Sequence, residues 1–496
     1  MKRILFAIFC AVALASCDSL EDTYKEFAGD GPIRYLGKCT DLSAKIGWQR
    51  LVVSWTNNPD PVIDKIKLTC TKDGDVKEFL LDKTVNTYCI DNLDDGNYEI
   101  TVCSVDKDGN PSLGTTIYAR PYTDKHEVVQ SFTQIVSSHY FVKNRLVLFF
   151  LGWEDNIEDA YITYTKKDGN SSQLELTPAL VNSLHYLLPD EVDVTKPVSV
   201  YRKGRIANCE DIIDFAPVAL ENNVLFNSDF KQEMKRQFGF QDDIPEKWAE
   251  SVEAIEFDRN IGSFADLLNL PKLNKLVLGS NRYVRSEMID DQETAQSKVY
   301  DAETSNFVLK VLHELNPSFI VERYDKHYST LTTASYIKEM GHPTEPTLDY
   351  LDLKGLKFTS TPEDASFNSY VQNLTDGDIT TSWEPSGRSE LTTYTLDLNL
   401  NAQKPLHGMK LVQTFFEHEN KRKWCPSQVK ILVSDDGDEW HKATYIEELE
   451  IGNSTGETIY IPFMDGGITT QYVRVMVSTP YSASTFNISL AEIALY

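Results

Sequence analysis

The feature that most constrains the fold is an internal repeat. Residues 51–55, LVVSW, alternate as a half-buried strand does, and LVLFF follows ninety-five residues later at 146–150. The same offset carries Asp73-Gly74 of KLTCTKDGD onto Asp168-Gly169 of YITYTKKDGN. One offset shared by two separate motifs argues for a duplicated unit of about 95 residues, the size of a β-sandwich. Glycine supplies the positive φ of a tight hairpin turn, so each Asp-Gly pair marks where one strand turns into the next.

At 496 residues the chain exceeds a single core, and two to four domains are expected. Its formal charge of −27 comes from 75 acidic against 48 basic residues, with no basic stripe. Nucleic acid is therefore excluded as a partner, because phosphate binding needs clustered cations.

The opening MKRILFAIFCAVALASC has a charged start at Lys2 and Arg3, then an apolar run from Ile4 to Ala15. That run is too short to span a bilayer, and no later segment is long enough, so this is an export signal. Leu14-Ala15-Ser16-Cys17 resembles the lipobox of bacterial lipoproteins, which implies cleavage before Cys17 and lipidation of its sulfur; an ordinary secretory signal is the alternative. Several acyl chains on one residue anchor a protein stably, so the membrane is met through the lipid alone. Asp18, Glu21 and Asp22 follow. In Bacteroidota lipoproteins such residues resemble a signal for display on the outer face of the cell; in enterobacteria an aspartate there suggests inner-membrane retention. Cys39, Cys70, Cys89, Cys103, Cys209 and Cys425 remain beyond the anchor, without metal-ligand spacing. They read equally as disulfide partners, with three pairings open among the first four, or as small buried hydrophobes.

The first repeat resembles a fibronectin type III domain, with Trp55 at its core tryptophan position and Leu93 and Tyr98 of LDDGNYEITV at its corner. DTYKEFAGDGPIRYLGKCTDL, WQRLVVSW and SVDKDGNPS look like the N-terminal domain of Bacteroidota surface lipoproteins. The second repeat has Phe150 in place of the tryptophan and no tyrosine matching Tyr98. Both read as stalk or spacer, their aromatics as core.

VEAIEFDRN at 252–260 and LNKLVLGSN at 273–281 lie 21 residues apart and resemble leucine-rich repeats. Asn260 and Asn281 would bond backbone after each strand. SFADLLNL between them reads as a short helix capped by Ser263. A further helix is expected from Ser305, with Phe307, Val308, Val311, Leu312 and Leu315 on one face and Pro317 ending it. Two repeats are too few to stand alone, so this piece should lean on its neighbours, and adjacent His313 and Glu314 face different ways.

From about Leu351 the texture changes to short strands. NLTDGDITTSW, YTLDLNL, PSQVKILVSDDGDEW and QYVRVMV…ISLAEIALY resemble, in order, a discoidin or coagulation factor type C domain, whose fold carbohydrate-binding modules of the galactose-binding type share. The resemblance implies an eight-stranded antiparallel jelly roll. Asp376, Asp378 and Thr381 offer oxygens in a turn permitted by Gly377, too few by themselves for Ca2+, which takes six to eight. The family closes its metal loop with a glutamate near the C-terminus, which places Glu492 there, with the Ala491 carbonyl beside it. The ion would be structural. SDDGDEW reads as a hairpin with Trp440 in the core; Trp383 is core in either case. Sugar recognition needs an aromatic face and polar groups that bond hydroxyls. FFEHENKRKW and PYSASTFN supply His418 and Arg422 as polar contacts and Tyr481 and Phe486 as platforms, with Glu384 and Arg388 beside the metal loop; solvated loop residues are the alternative for each.

The expected chain is mainly β and multidomain. It runs from a signal peptide (1–16) and an acidic lipidated tether (17–30) to two fibronectin type III-like sandwiches (31–122 and 123–222). A leucine-rich-repeat-like α/β region (223–340), a linker (341–350) and a discoidin jelly roll (351–496) follow. The expected role is a surface-exposed outer-membrane lipoprotein that binds a polysaccharide or glycan beside outer-membrane uptake proteins. A protein-binding adhesin or assembly factor, using the discoidin loops or the leucine-rich surface, is the alternative. An enzyme is not expected, because no unassigned segment could hold paired carboxylates in a cleft.

Overall fold

The computed structural model describes residues 35–132, 134–285, 288, 295–356, 358–363, 370–417, 419–480 and 486–496. The signal, Cys17 and the acidic tether lie outside the described residues, as do His418 and Tyr481. No helix among the described residues is long and apolar enough to cross a membrane.

The repeat is real in three dimensions. The first copy contains β1 (Thr40–Gly47), β2 (Arg50–Thr56), β3 (Lys65–Lys72), β4 (Asp75–Asp82), β5 (Thr87–Ile90), β6 (Tyr98–Val105) and β7 (Thr115–Ala119). These make a three-stranded sheet β1-β2-β5 and a four-stranded sheet β4-β3-β6-β7. The second copy contains β8 (Val136–Val142), β9 (Arg145–Phe150), β10 (Ile157–Thr165), β11 (Ser171–Glu175), β12 (His185–Glu191), β13 (Ser199–Gly204) and β14 (Ile213–Ala219). Its sheets, β8-β9-β12 and β11-β10-β13-β14, repeat the same pairing order. Gly74 and Gly169 turn the two matching hairpins at φ +91° and +89°. Trp55 and Phe150 are both buried, and the Tyr98 hydroxyl donates to the Asp94 carbonyl at 3.2 Å, as at a tyrosine corner. All six described cysteines are free, five buried and Cys89 half-buried, so the small-hydrophobe reading holds.

Next comes an α/β unit. Strands β15 (Ala254–Phe257), β16 (Lys275–Leu278), β17 (Ile320–Tyr324) and β18 (Ile337–Met340) form a parallel sheet in that order. The 21-residue step joins β15 to β16, but the next step, from Lys275 to Ile320, is 45 residues and contains the helix Ala302–Leu315. That helix begins three residues before Ser305, because the Asp301 side chain accepts from the Thr304 amide. SFADLLNL is a single 3-10 turn, Ala265–Asn269. Asn260 accepts from the Lys298 amide as expected, whereas Asn281 departs from expectation: its side chain donates to the Asp258 carboxylate.

The C-terminal unit is a two-sheet antiparallel sandwich with nine strands among the described residues rather than eight: β19 (Thr359–Thr361), β20 (Thr393–Leu406), β21 (Gly408–Gln413), β22 (Gln428–Ser434), β23 (His441–Lys442), β24 (Leu449–Glu450), β25 (Thr458–Pro462), β26 (Ile468–Ser478) and β27 (Leu490–Leu495). One sheet runs β19-β20-β26-β22-β23 with β24 also on β22, and the other runs β25-β21-β27. Alternate residues of β20, Tyr394, Leu396, Leu398 and Leu400, enter the core between them. Trp440 corrects its expected place: it is half-buried on the β22–β23 hairpin, with the Arg474 guanidinium 3.9 Å above its ring.

Candidate functional site

Two buried side chains fix the acidic loop. Leu374 lies in the 3-10 turn Val371–Thr375 and is buried in the core, and Trp383 is 1% exposed with its amide bonded to the Leu490 carbonyl at 2.8 Å. The exposed arc from Asp376 to Thr380 is held between them. Gly377 takes φ +77° there, a conformation that favours glycine. The Asp376 carboxylate accepts from the Asp378 amide and the Thr381 hydroxyl, both at 2.8 Å. Asp378 turns its own carboxylate onto the Thr380 amide and hydroxyl, and gives its carbonyl to Thr381.

Strand β27 returns to this loop. Its pairing with β21 runs Val412 to Glu492 and then Gln413 to Leu490, so Ala491 is the extra residue of a bulge. Bulges re-aim side chains and lift backbone groups out of the ladder. Glu492 is 7% exposed, accepts from the Gly377 amide, and has one carboxylate oxygen, Oε2, buried without a hydrogen-bond partner. Burial first, then repulsion from Asp376, pushes its pKa up to about 7. A cation between Asp376 and Glu492 would satisfy the orphaned oxygen and cancel the repulsion. Among the described residues no three His, Cys, Asp or Glu side chains converge as a metal cluster. The donor set is therefore two carboxylates with neutral oxygens, which suits a hard cation rather than zinc.

At the adjacent loops, Arg388 and Phe486 face one another across two backbone hydrogen bonds of 2.9 and 3.1 Å. The Arg388 Nε donates to the Tyr394 hydroxyl at 3.1 Å, and buried Tyr394 stands edge-on to Trp383, with centroids 5.1 Å apart. The Arg388–Phe486 pair is thus keyed to the same tryptophan that anchors the acidic loop. Glu384 accepts from the Ser382 hydroxyl at 2.9 Å. Arg422 ends the one-turn helix Glu419–Arg422, its Nε directed at the Phe416 carbonyl. Sequence reasoning passed over Trp424: this half-buried ring meets Phe416 edge-on and carries the Lys421 ammonium 4.9 Å from its centroid. It lies within the quoted FFEHENKRKW, where an aromatic next to cations was the available signal. The Ser489 amide, three residues after Phe486, donates to the Trp424 carbonyl, so the two loops share one end of the sandwich.

Comparison with known proteins agrees with this architecture. Residues 357–492 match the F5/8 type C domain, and residues 17–197 match DUF4998, a domain of unknown function. The second match spans the first sandwich and most of the second. The C-terminal unit is thus an F5/8 type C, or discoidin, domain. No curated protein matches the chain. Among solved structures, it is similar to CBM32-3 from a family 31 glycoside hydrolase of Clostridium perfringens (21% identity, 30% of this chain, 94% of that one, TM-score 0.24). The C-terminal domain of a chitobiase from Bacteroides fragilis is similar at 19% identity, covering 30% of this chain and 97% of that one, with a TM-score of 0.24. A two-domain fibronectin type III segment of chicken tenascin matches at 14% identity, 37% of this chain and 97% of that one, with a TM-score of 0.18.

Proposed function

We propose that the chain is a lipid-anchored protein of the outer membrane, facing the cell exterior, that binds glycans through its discoidin domain. Cys17 would carry the lipid, and the sandwiches would hold the binding end away from the membrane. A structural Ca2+ held by Asp376, Glu492, the Thr381 hydroxyl and carbonyls such as that of Ala491 would stiffen the loop beside the site. The Asp378 carboxylate, engaged by Thr380, would enter only by releasing it. Work beside outer-membrane uptake proteins follows from the lipoprotein reading.

The observation that carries the glycan reading is the F5/8 type C match over 357–492 together with the Arg388–Phe486 pair. Arg388 and Phe486, paired through their backbones at one loop end, would offer a guanidinium and an aromatic ring, the two elements a sugar needs: directed hydrogen bonds and a face for its C–H surface. No catalytic domain is evident. The test is a glycan array of plant and host polysaccharides probed with soluble protein lacking residues 1–22, with and without chelator. Retention of a defined glycan, weakened by chelation, is expected. Capture of a protein partner with no glycan retained at millimolar sugar would replace this reading with the adhesin.

A further inference from the structure

The α/β unit meets the discoidin domain along the carboxyl ends of its parallel strands. Arg259 and Asn260 follow β15, and Arg282 follows β16. In open parallel sheets ligands bind in the crevice outside those ends. Here the crevice is closed on its far side by the discoidin loop Glu450–Asn453, leaving a cavity of about 320 Å³ walled by Arg259, Asn260, Lys298, Tyr300, Glu450 and Asn453.

The charges around it account for one another except Arg259, Lys298 and Glu450. Arg282 is clasped by Glu457, with Nε to Oε1 at 2.6 Å and Nη2 to Oε2 at 3.2 Å. Asp258 is held by the Asn281 amide and side chain, each at 3.0 Å, and Arg236 by Glu233. Among the described residues neither the guanidinium of Arg259 nor the ammonium of Lys298 makes a hydrogen bond or ion pair, although Glu457 and Asp258 attract Arg259 from a distance. Glu450, on an exposed strand end, forms no ion pair with either among those residues. Arg282 and Arg236 repel the half-buried Arg259 guanidinium while Glu457 and Asp258 attract it, and with none of them in contact its desolvation is left uncompensated by a direct partner. Its pKa is accordingly pushed down to about 10, by burial first and then by Arg282.

We propose that this crevice is an oxyanion site that takes the carboxylate or sulfate of an acidic saccharide between Arg259 and Lys298. A planar guanidinium matches such groups with two parallel hydrogen bonds. Asn260, Asn453 and the 72% exposed Tyr300 at the mouth supply the amide groups and ring that a sugar body would meet. The saccharide assignment rests on the glycan-binding reading above; the anion site rests on the crevice alone.

The test is calorimetry of the chain lacking residues 1–22 with trigalacturonate, its neutral methyl ester and sodium sulfate at low salt. Trigalacturonate is expected to bind and the ester not. Arg259→Gln should weaken binding about tenfold or more, the cost of a lost charge-assisted contact. Lys298→Gln, at an exposed position, should weaken it less, and Glu450→Gln should tighten it by removing a competing anion. Sulfate, which has no sugar face for the discoidin loops, should bind the native chain and not Arg259→Gln, which separates failure here from failure of the discoidin reading. Equal binding by Arg259→Gln, or no binding of either anion, would overturn the site. Binding of sulfate alone would overturn the saccharide assignment. Thermal melting and Arg259→Lys, which keeps the charge and should retain part of the binding, guard against misfolding.

Discussion

In the first sandwich, β2 buries Leu51, Val53 and Trp55 and leaves Val52 and Ser54 half-buried. In the second, the matching strand β9 is buried continuously from Leu146 to Phe150. Leu146, Leu148 and Phe150 join the core of their own sandwich, while Val147 and Phe149 join the core of the α/β unit. The helix Ala302–Leu315 lies against that second face: Phe307 stands edge-on to Phe149 and stacks on His185, whose Nε2 is 2.9 Å from the Thr304 hydroxyl. One fold has thus been used twice in different ways. The first copy keeps a core of its own, and the second is the foundation on which the α/β unit and then the discoidin domain are laid. That corrects the reading of the second copy as a plain spacer.

The junctions differ in the same sense, and the largest expected effect lies there. Arg282 and Glu457 join the α/β unit to the discoidin domain with side chains 5% and 1% exposed. Glu457→Gln strands a buried guanidinium and should cost about 3–5 kcal/mol. Arg50, clasped by Asp211 between the two sandwiches, sits at a more open junction, with side chains 40% and 22% exposed respectively. Asp211→Asn should cost no more than about 1 kcal/mol. Urea denaturation followed by tryptophan fluorescence compares them, and equal costs would break the distinction between a buried and an open junction.

Phe149→Ala removes a ring shared by two units and should cost about 3–5 kcal/mol, whereas Ser54→Ala at the equivalent position should stay within about 0.5 kcal/mol. The same denaturation series checks this.

Acid should separate the regions next. His327 is fully buried, accepts from the Ser297 amide and has its pKa pushed down to about 3, by burial first and then by Arg282 and Arg259. Its unfolded value is near 6.5, so the stability gained by folding it neutral is complete above that pH and is lost as pH falls from 6.5 towards 3. Residues 31–122 contain no histidine. Hydrogen exchange at pH 7 and pH 5 should therefore show the α/β unit loosening and the first sandwich unchanged, with His327→Gln flattening the difference.

The smallest effect belongs to the corner. Tyr98→Phe should destabilise the first copy by about 0.5–1.5 kcal/mol through the lost bond to Asp94. The second copy has Asp193 at the matching position and no such bond to lose.

The duplication was legible because hairpin glycines and strand alternation are local signals. The unbroken run LVLFF already differed from LVVSW, and a strand buried on both faces reads as just such a run. What covers its second face is not local: Phe149 meets a helix more than 150 residues away. The meeting of the acidic loop with Glu492 was legible through Gly377 and the resemblance's closing glutamate, but the turning of the Asp378 carboxylate onto Thr380 is side-chain competition that spacing does not reveal. Arg259 was invisible for a different reason. Its environment is assembled from strand ends and a discoidin loop nearly 200 residues apart, and an isolated arginine in VEAIEFDRN carries no signal of that meeting.

The most direct measurement is retardation of the chain lacking residues 1–22 in polysaccharide affinity gels, comparing the native sequence with Phe486→Ala and Arg388→Ala. The account predicts a retaining polysaccharide whose effect falls about tenfold in either variant while melting is preserved, the cost of a lost stacking or charge-assisted contact. Undiminished retardation in both variants would contradict it.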